Sequence, residues 1–145
     1  MGNNKILIVD DEKQICDLLA TYLSKDGYEP LTATSCEEAK EILNKLTPDL
    51  IILDIMLPDK SGMDLCMEIR RDKTVPIIFL SCKTETIDKI MALSVGGDDY
   101  ITKPFIPEEL LARVKAQIRR SEQNSSVETD EEIYTAPGLT VNVTS

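Results

Sequence analysis

The stretch Leu50-Ile51-Ile52-Leu53-Asp54 decides the fold, because four consecutive apolar residues end abruptly at a carboxylate. An unbroken apolar run is typical of a strand that is buried on both faces, as in a parallel sheet covered by helices. Residues 5–9 (KILIV) and 76–80 (PIIFL) follow the same pattern and end at Asp10 and Ser81. We therefore predict several buried, parallel strands.

Segments with helical spacing separate these strands. Apolar residues recur at helical intervals in residues 15–23, and Gly27 ends that segment. Ser35 and Glu38 form a capping box before a second helix, and Pro107 opens the last one. Five strand–helix units in alternation predict an α/β fold, with a five-stranded parallel sheet, doubly wound, and five helices on its two faces.

Composition excludes several classes of function. Histidine is absent, which rules out Ser-His-Asp and Cys-His catalysis and histidine-ligated metals within this chain. The cysteines form no C-x-x-C pair, so we expect free and mostly buried thiols. They are Cys16, Cys36, Cys66 and Cys82. The net charge of -10, without a basic stripe, predicts poor nucleic-acid binding by these residues alone.

The sequence has no stretch that approaches the ~18 apolar residues of a membrane span, and it starts without an apolar signal segment. A cytoplasmic protein without a membrane partner is therefore expected.

The polar residues that follow the strands are expected to meet at one edge of the sheet. Ligands of open α/β sheets bind at the carboxyl ends of the strands. The residues concerned are Asp10, Asp11, Asp54, Ser81 and Lys103. Carboxylates brought together repel one another unless a cation neutralises them, and Mg²⁺ prefers such oxygen ligands. The sequence therefore predicts a magnesium site.

Each residue at this edge is assigned a role. Asp11 and Asp54 are the predicted direct ligands of Mg²⁺, and Asp10 is a predicted ligand through water. Asp54 has no helix of its own to cap, which favours a nucleophile that forms an aspartyl-phosphate. Lys103 and Ser81 would then stabilise charge on the phosphoryl oxygens.

Simpler interpretations of the same residues remain open at this point. Residues 10–12 can cap the helix that follows and favour its positive end. Lys103 can form a salt bridge with a carboxylate, and Ser81 can be an ordinary loop serine.

Four segments hold these residues in order along the chain. They are Ile6-Leu7-Ile8-Val9-Asp10-Asp11, Leu53-Asp54-x-x-Leu57-Pro58-x-x-x-Gly62, Pro76-Ile77-Ile78-x-Leu80-Ser81 and Gly97-Asp98-Asp99-Tyr100-Ile101-Thr102-Lys103-Pro104-Phe105. Jointly they resemble the receiver domains of bacterial two-component response regulators, the CheY-like superfamily. The resemblance implies a flavodoxin-like sheet with strand order 2-1-3-4-5.

The resemblance also implies a mechanism. A sensor histidine kinase would donate its phosphoryl group to Asp54, and the backbone carbonyl of Met56 would join the Mg²⁺ ligands. On activation Ser81 would shift toward the phosphoryl group and Tyr100 would rotate inward. A cis peptide bond is implied between Lys103 and the proline that follows it.

A set of charged residues matches the positions that OmpR/PhoB-type transcription factors use for a symmetric, activated homodimer. The set is Lys89, Asp98, Asp99, Glu109, Arg113 and Arg120. By this resemblance Lys89 would meet Glu109 of a second copy, and Asp98 or Asp99 would meet Arg113. The alternative is a solvated charged face, on which single pairs contribute little.

The composition divides the chain into three parts. Residues 1–121 are expected to form the receiver domain, and residues 122–132 an acidic linker. Residues 133–145 resemble the start of a truncated C-terminal winged-helix DNA-binding domain. We expect residues 121–145 to be largely disordered or bound to a neighbouring molecule. Residues 107–120, with LLARVKAQIRR, are similar to regulators of vancomycin-resistance operons.

The resulting functional prediction is a response regulator that controls transcription through DNA bound by the missing domain. A stand-alone phosphorelay receiver would share the site but lack the linker and the final strand pattern. An aspartyl-phosphate phosphohydrolase of the haloacid-dehalogenase type needs a second aspartate two residues after its nucleophile, where this chain has Met56.

Overall fold

The computed structural model, which describes residues 3–82 and 86–134, has five strands and five helices in strict alternation. The strands are β1 Lys5–Val9, β2 Glu29–Ala33, β3 Leu50–Leu53, β4 Ile77–Ser81 and β5 Asp99–Thr102. The helices are α1 Lys13–Lys25, α2 Cys36–Lys45, α3 Gly62–Arg70, α4 Thr86–Ser94 and α5 Pro107–Tyr134. The five strands pair in parallel, in the order β2-β1-β3-β4-β5. The predicted doubly wound fold is confirmed.

The central strand β3 explains why its sequence is apolar throughout. Ile51 and Leu53 belong to the core layer that β3 shares with α2, α3 and α4, whereas Leu50 and Ile52 belong to the layer shared with α1 and α5. Successive side chains of a strand point to opposite faces. Because helices cover both faces, neither set of side chains is exposed to solvent.

Side-chain hydrogen bonds mark the starts of α2, where the sequence predicts a capping box, and of α3. Ser35 Oγ accepts from the Glu38 amide at 3.1 Å, and the Glu38 side chain returns to accept from the Thr34 amide at 2.7 Å. Ser61 Oγ accepts from the Met63 amide at 3.1 Å and caps α3. Each side-chain oxygen satisfies an amide that has no partner within its helix.

The last helix is longer than expected. The change in composition after Arg120 predicts a linker without fixed structure, and this is wrong for residues 121–134, which continue α5. Residues 108–134 contain neither glycine nor proline, so no strong helix breaker interrupts them. The division into domains stays a prediction, and residues 135–145 lie outside the described residues.

Two further local expectations, the cis peptide bond and the free cysteines, are confirmed. The peptide bond between Lys103 and Pro104 is cis. All four cysteines are free, and Cys82 is the exposed one. Among the described residues, none of the helices has the length and apolarity needed to cross a membrane.

Gly62 allows α3 to begin directly against the end of β3. Its amide donates to the Ile55 carbonyl at 2.7 Å, and a Cβ at this position would lie 2.0 Å from the backbone oxygen of Asp54. Only a residue without a side chain can approach the backbone so closely. The glycine therefore closes the loop that follows Asp54.

Replacing Gly62 with alanine is expected to lower the free energy of unfolding by about 3 kcal/mol, because the added methyl group collides with backbone. Urea denaturation measures the loss. Gly27→Ala is the matched control: its φ is +94° and nothing lies within 4 Å of the added Cβ. The control should cost about 1 kcal/mol, from the left-handed backbone alone. An equal or larger loss in the control would contradict the steric explanation.

Candidate functional site

Three carboxylates gather at the carboxyl edge of the sheet. Side-chain oxygens of Asp10, Asp11 and Asp54 all lie within 4.8 Å of one another. Asp10 is 2% exposed and Asp54 is 5% exposed, whereas Asp11 is exposed. The cluster therefore has two buried members and one that faces solvent.

The sheet itself places these residues. The Asp10 amide donates to the Ala33 carbonyl at 3.0 Å, and the Asp54 amide donates to the Val9 carbonyl at 2.9 Å. Each bond continues the strand ladder one residue beyond the strand. The predicted convergence of the strand-end aspartates is thus a consequence of sheet register, with little dependence on loop conformation.

Lys103 is the cation of the cluster. Its Nζ lies 2.8 Å from Asp10 Oδ2, 3.2 Å from Asp54 Oδ2 and 3.6 Å from Glu12 Oε1. Burial alone would lower the pKa of Lys103, but the hydrogen bond with Asp10 and the negative charges of Asp54 and Asp10 outweigh it, so the pKa is raised. The lysine remains an ammonium, and the salt-bridge interpretation of Lys103 describes this state.

Asp10 is held in an unfavourable position for a charge. Burial raises the pKa of Asp10, and repulsion from Asp54 adds to this, whereas hydrogen bonds from Lys103 and the Glu12 amide act in the opposite direction. The Glu12 amide donates to Asp10 Oδ1 at 2.9 Å. This local turn before α1 accounts for one oxygen of Asp10, while the other oxygen contacts Lys103. Within the described part of the chain, no side chain caps the first turn of α1, so the capping interpretation of residues 10–12 is wrong.

The donor set fits a hard divalent cation. Three carboxylates and one ammonium leave two uncompensated negative charges in a largely buried cluster. All side-chain ligand atoms offered there are oxygens, as Mg²⁺ requires. A cation of charge +2 would oppose both causes that raise the pKa of Asp10, which are burial first and repulsion from Asp54 second.

Met56 is placed beside the cluster by its backbone. Its amide donates to Asp54 Oδ1 at 3.2 Å, and its backbone forms an antiparallel bridge with Ser61. The role of its carbonyl as a ligand stays a prediction.

The two residues predicted to act as a switch are connected. Ser81 is completely buried at the end of β4, where it pairs with Thr102 of β5, and Tyr100 lies two residues before Thr102 on the same strand. Burial raises the pKa of the Tyr100 hydroxyl, and a hydrogen bond with Ser81 opposes that shift. The Tyr100 ring lies 6.4 Å from the Phe79 ring, and Lys89 Nζ lies 6.0 Å from its centroid. The pair links the interior of the sheet to the charged face.

Arg113 is the centre of that charged face. It donates to both oxygens of Asp99, at 2.9 and 3.0 Å, and to Glu109 Oε2 at 3.0 Å. These pairs lie within a single chain. Arg120 is exposed farther along α5.

Asp98 lies apart from this pairing. Its Oδ2 accepts from Arg70 Nη2 at 2.9 Å and from the Ile77 amide at 2.9 Å. Arg70 also donates to the carbonyls of Gly96, at 3.0 Å, and Val75, at 2.7 Å. Arg70, which the sequence did not single out, thus joins the end of α3 to the starts of β4 and β5.

Comparison with known families gives a match over most of the chain. The family described as response regulator receiver domain matches residues 6–115. Regulatory protein VanR of Enterococcus faecium is 49% identical over 142 residues, which cover 97% of this chain and 62% of that protein. The chain thus spans less than two thirds of the length of this relative.

Solved structures share the architecture. A two-component response regulator from Clostridium difficile is 40% identical, with a TM-score of 0.80, and the match covers 82% of this chain and 98% of that one. The BeF3-activated N-terminal receiver domain of Klebsiella pneumoniae RstA is 37% identical, with a TM-score of 0.77 and coverages of 80% and 99%. A CheY-like receiver domain protein from Methanospirillum hungatei is 28% identical, with a TM-score of 0.80 and coverages of 85% and 99%.

Removing the buried charge of Asp10 should stabilise the metal-free protein. The pKa of the Asp10 carboxyl is higher in the folded protein than its ordinary value of 3.8, which applies to the unfolded chain. The folded state is therefore favoured while the carboxyl is protonated, and this stabilisation is lost as the pH rises from 3.8 through the folded-state pKa. We expect Asp10→Asn to raise the free energy of unfolding at pH 7 by on the order of 1 kcal/mol. The gain should shrink toward pH 3.

Urea denaturation in EDTA at pH 7 and pH 3 measures this difference. Asp17→Asn, on the exposed face of α1, changes the same charge away from the cluster and serves as the control. A loss of stability in Asp10→Asn at pH 7 would show that the ion pair with Lys103 outweighs the cost of burial.

Proposed function

The chain belongs to the response regulator receiver domain family, and from this premise we propose that Asp54 is its phosphoacceptor. The family consists of regulatory phosphoacceptor domains of two-component systems rather than classical enzymes. The observation that carries the proposal is the convergence of Asp54 with Asp10, Asp11 and Lys103 at the sheet edge. Mg²⁺ is the proposed cofactor and a sensor histidine kinase the proposed donor.

In the proposed transfer, a carboxylate oxygen of Asp54 attacks the phosphorus of a phosphohistidine on the kinase. The phosphorus–nitrogen bond breaks, its electron pair returns to the imidazole, and an acyl phosphate forms on Asp54. The chain contains no histidine, which agrees with a domain that receives phosphoryl groups. Hydrolysis of the acyl phosphate by water would return the domain to its resting state.

The neighbouring residues have distinct proposed roles. Asp10, Asp11 and Asp54, with the Met56 carbonyl, would hold Mg²⁺, which supplies positive charge opposite the phosphoryl oxygens. Lys103 already lies 3.2 Å from Asp54 Oδ2 and would contact a phosphoryl oxygen as a point charge. A contact between Lys103 and the phosphoryl group would replace part of the present pairing of Lys103 with Asp10 and Asp54.

The proposed output is a switched surface. Ser81, moving toward the phosphoryl group, would draw Tyr100 inward and change the charged face formed by α4, β5 and α5. That face would then form a symmetric homodimer. Asp98 is held by Arg70, whereas Asp99 already pairs with Arg113 of its own chain, so Asp99 is the aspartate that could exchange this pair for Arg113 of a second copy. We propose that the full-length protein is a cytoplasmic transcription factor whose DNA contacts lie outside this chain.

Phosphorylation is tested by incubating the protein with acetyl phosphate and Mg²⁺ and measuring its intact mass. We expect the mass of one phosphoryl group to be added to the unchanged protein and none to Asp54→Asn. EDTA should prevent phosphorylation, because it removes the Mg²⁺ that would compensate the negative charge of the phosphoryl group during transfer. Asp64→Asn, an exposed aspartate on α3, is the matched control and should be modified normally. Absence of an adduct on the unchanged protein would sink the phosphoacceptor proposal.

Dimerisation is tested by sedimentation at micromolar concentration, with and without acetyl phosphate and Mg²⁺. The mass should double on phosphorylation. Lys89→Glu should prevent this by placing like charges together, and the double variant Lys89→Glu with Glu109→Lys should restore it. A single mass under both conditions, in protein shown to be phosphorylated, would contradict the proposed output.

A further inference from the structure

The loop between β3 and α3, residues 55–61, is attached to a helix far from it in the sequence. Asp59, near its tip, accepts from the Cys36 amide through Oδ1 and from the Glu37 amide through Oδ2, each at 3.0 Å. Hydrogen bonds from these amides, that of Cys36 first, lower the pKa of Asp59. An exposed side chain is therefore held in one place by two amides in the first turn of α2.

The same loop is closed at its base. The Gly62 amide donates to the Ile55 carbonyl, and Met56 and Ser61 form an antiparallel bridge. Lys60 adds an ion pair with Glu68 on α3, and Glu68 also pairs with Lys40 on α2. The β3–α3 loop is thus restrained at both ends. Asp59 makes the two short hydrogen bonds that join it to the backbone of α2, and the Cys36 thiol adds a longer contact with the Lys60 carbonyl at 3.6 Å.

The attachment matters because the loop carries backbone that belongs to the site. Met56 lies in this loop, and its amide donates to Asp54 Oδ1 at 3.2 Å. Helix α2 is a rigid anchor, since Ala39 and Leu43 are buried in the core layer against the sheet. A loop that is already ordered pays less conformational entropy when its backbone engages a ligand.

We propose that Asp59 is a positioning residue for the magnesium site, which it serves by fixing the β3–α3 loop to the first turn of α2. The inference rests on the proposed function, since it concerns how the same site binds Mg²⁺. Asp59 does not touch the metal. It acts through the loop backbone, as residues behind a ligand shell commonly do.

The alternative is that Asp59 serves only to cap α2. A second residue distinguishes the two roles, because Ser35 caps the same turn through its contact with the Glu38 amide. Ser35 precedes α2 and lies outside the β3–α3 loop. Removing either cap should weaken α2, but only removal of Asp59 should release the loop.

The test measures Mg²⁺ binding by calorimetric titration with magnesium chloride, using the unchanged chain, Asp59→Ala, Asp59→Asn and Ser35→Ala. We expect Asp59→Ala to raise the dissociation constant about tenfold, as loss of a supporting contact typically does. Asp59→Asn, which keeps one accepting oxygen, should have an intermediate effect. Ser35→Ala should bind as the unchanged chain does.

Hydrogen exchange in EDTA gives a readout without the metal. The Gly62 amide, which closes the loop, should exchange faster in Asp59→Ala and at an unchanged rate in Ser35→Ala. Urea denaturation of all variants shows whether the two caps cost similar stability, so that a general loss of folding is separated from release of the loop.

The outcomes separate this inference from the function on which it rests. If Asp59→Ala binds Mg²⁺ as tightly as the unchanged chain, or if Ser35→Ala loses as much affinity, the positioning role is wrong and the phosphoacceptor proposal stands. If the unchanged chain binds no Mg²⁺, the proposed function fails, and the positioning role with it.

Discussion

The repulsion among carboxylates at the end of a buried sheet is the constraint on which the rest of this structure depends. Sheet register brings Asp10 and Asp54 together whatever their charge, and burial removes the water that would screen them. Lys103 compensates part of the charge and is held by the same carboxylates. The protein therefore carries an unfavourable local arrangement that its apolar core must support. Such an arrangement is ready to accept a cation because it is costly without one.

The sequence predicted the parts of the structure that follow from short-range patterns. Apolar runs mark buried strands, and polar residues after them mark the edge where they meet, so Asp10, Asp54 and Lys103 could be grouped from sequence. The strand order came from family resemblance. Patterns could not predict Asp59 with Cys36 or Arg70 with Asp98, because these contacts join residues 23 and 28 positions apart. The end of α5 was missed because a change in composition is not a helix breaker.

Part of the charged face is already paired within one chain. Arg113 is bound by Asp99 and Glu109, and Lys89 lies over the Tyr100 ring. In the proposed homodimer a second copy would exchange existing ion pairs for similar ones, so charge would set the register of the association and supply little of its free energy. Ile90 and Leu93 on α4 are 57% and 46% exposed. Burying these side chains against a second copy would not require breaking an ion pair within the chain.

Because Gly62 has no side chain, it limits how the cluster of aspartates and lysine can be transferred to another protein scaffold. The aspartates and the lysine could be grafted onto the strand ends of an unrelated parallel sheet, and their oxygens would still converge. The graft would fail to hold its loop wherever the host chain has a Cβ 2.0 Å from the oxygen of the residue corresponding to Asp54. A successful graft would therefore have to include the backbone of the loop that follows Asp54, with a glycine at the position of Gly62, as well as the functional side chains.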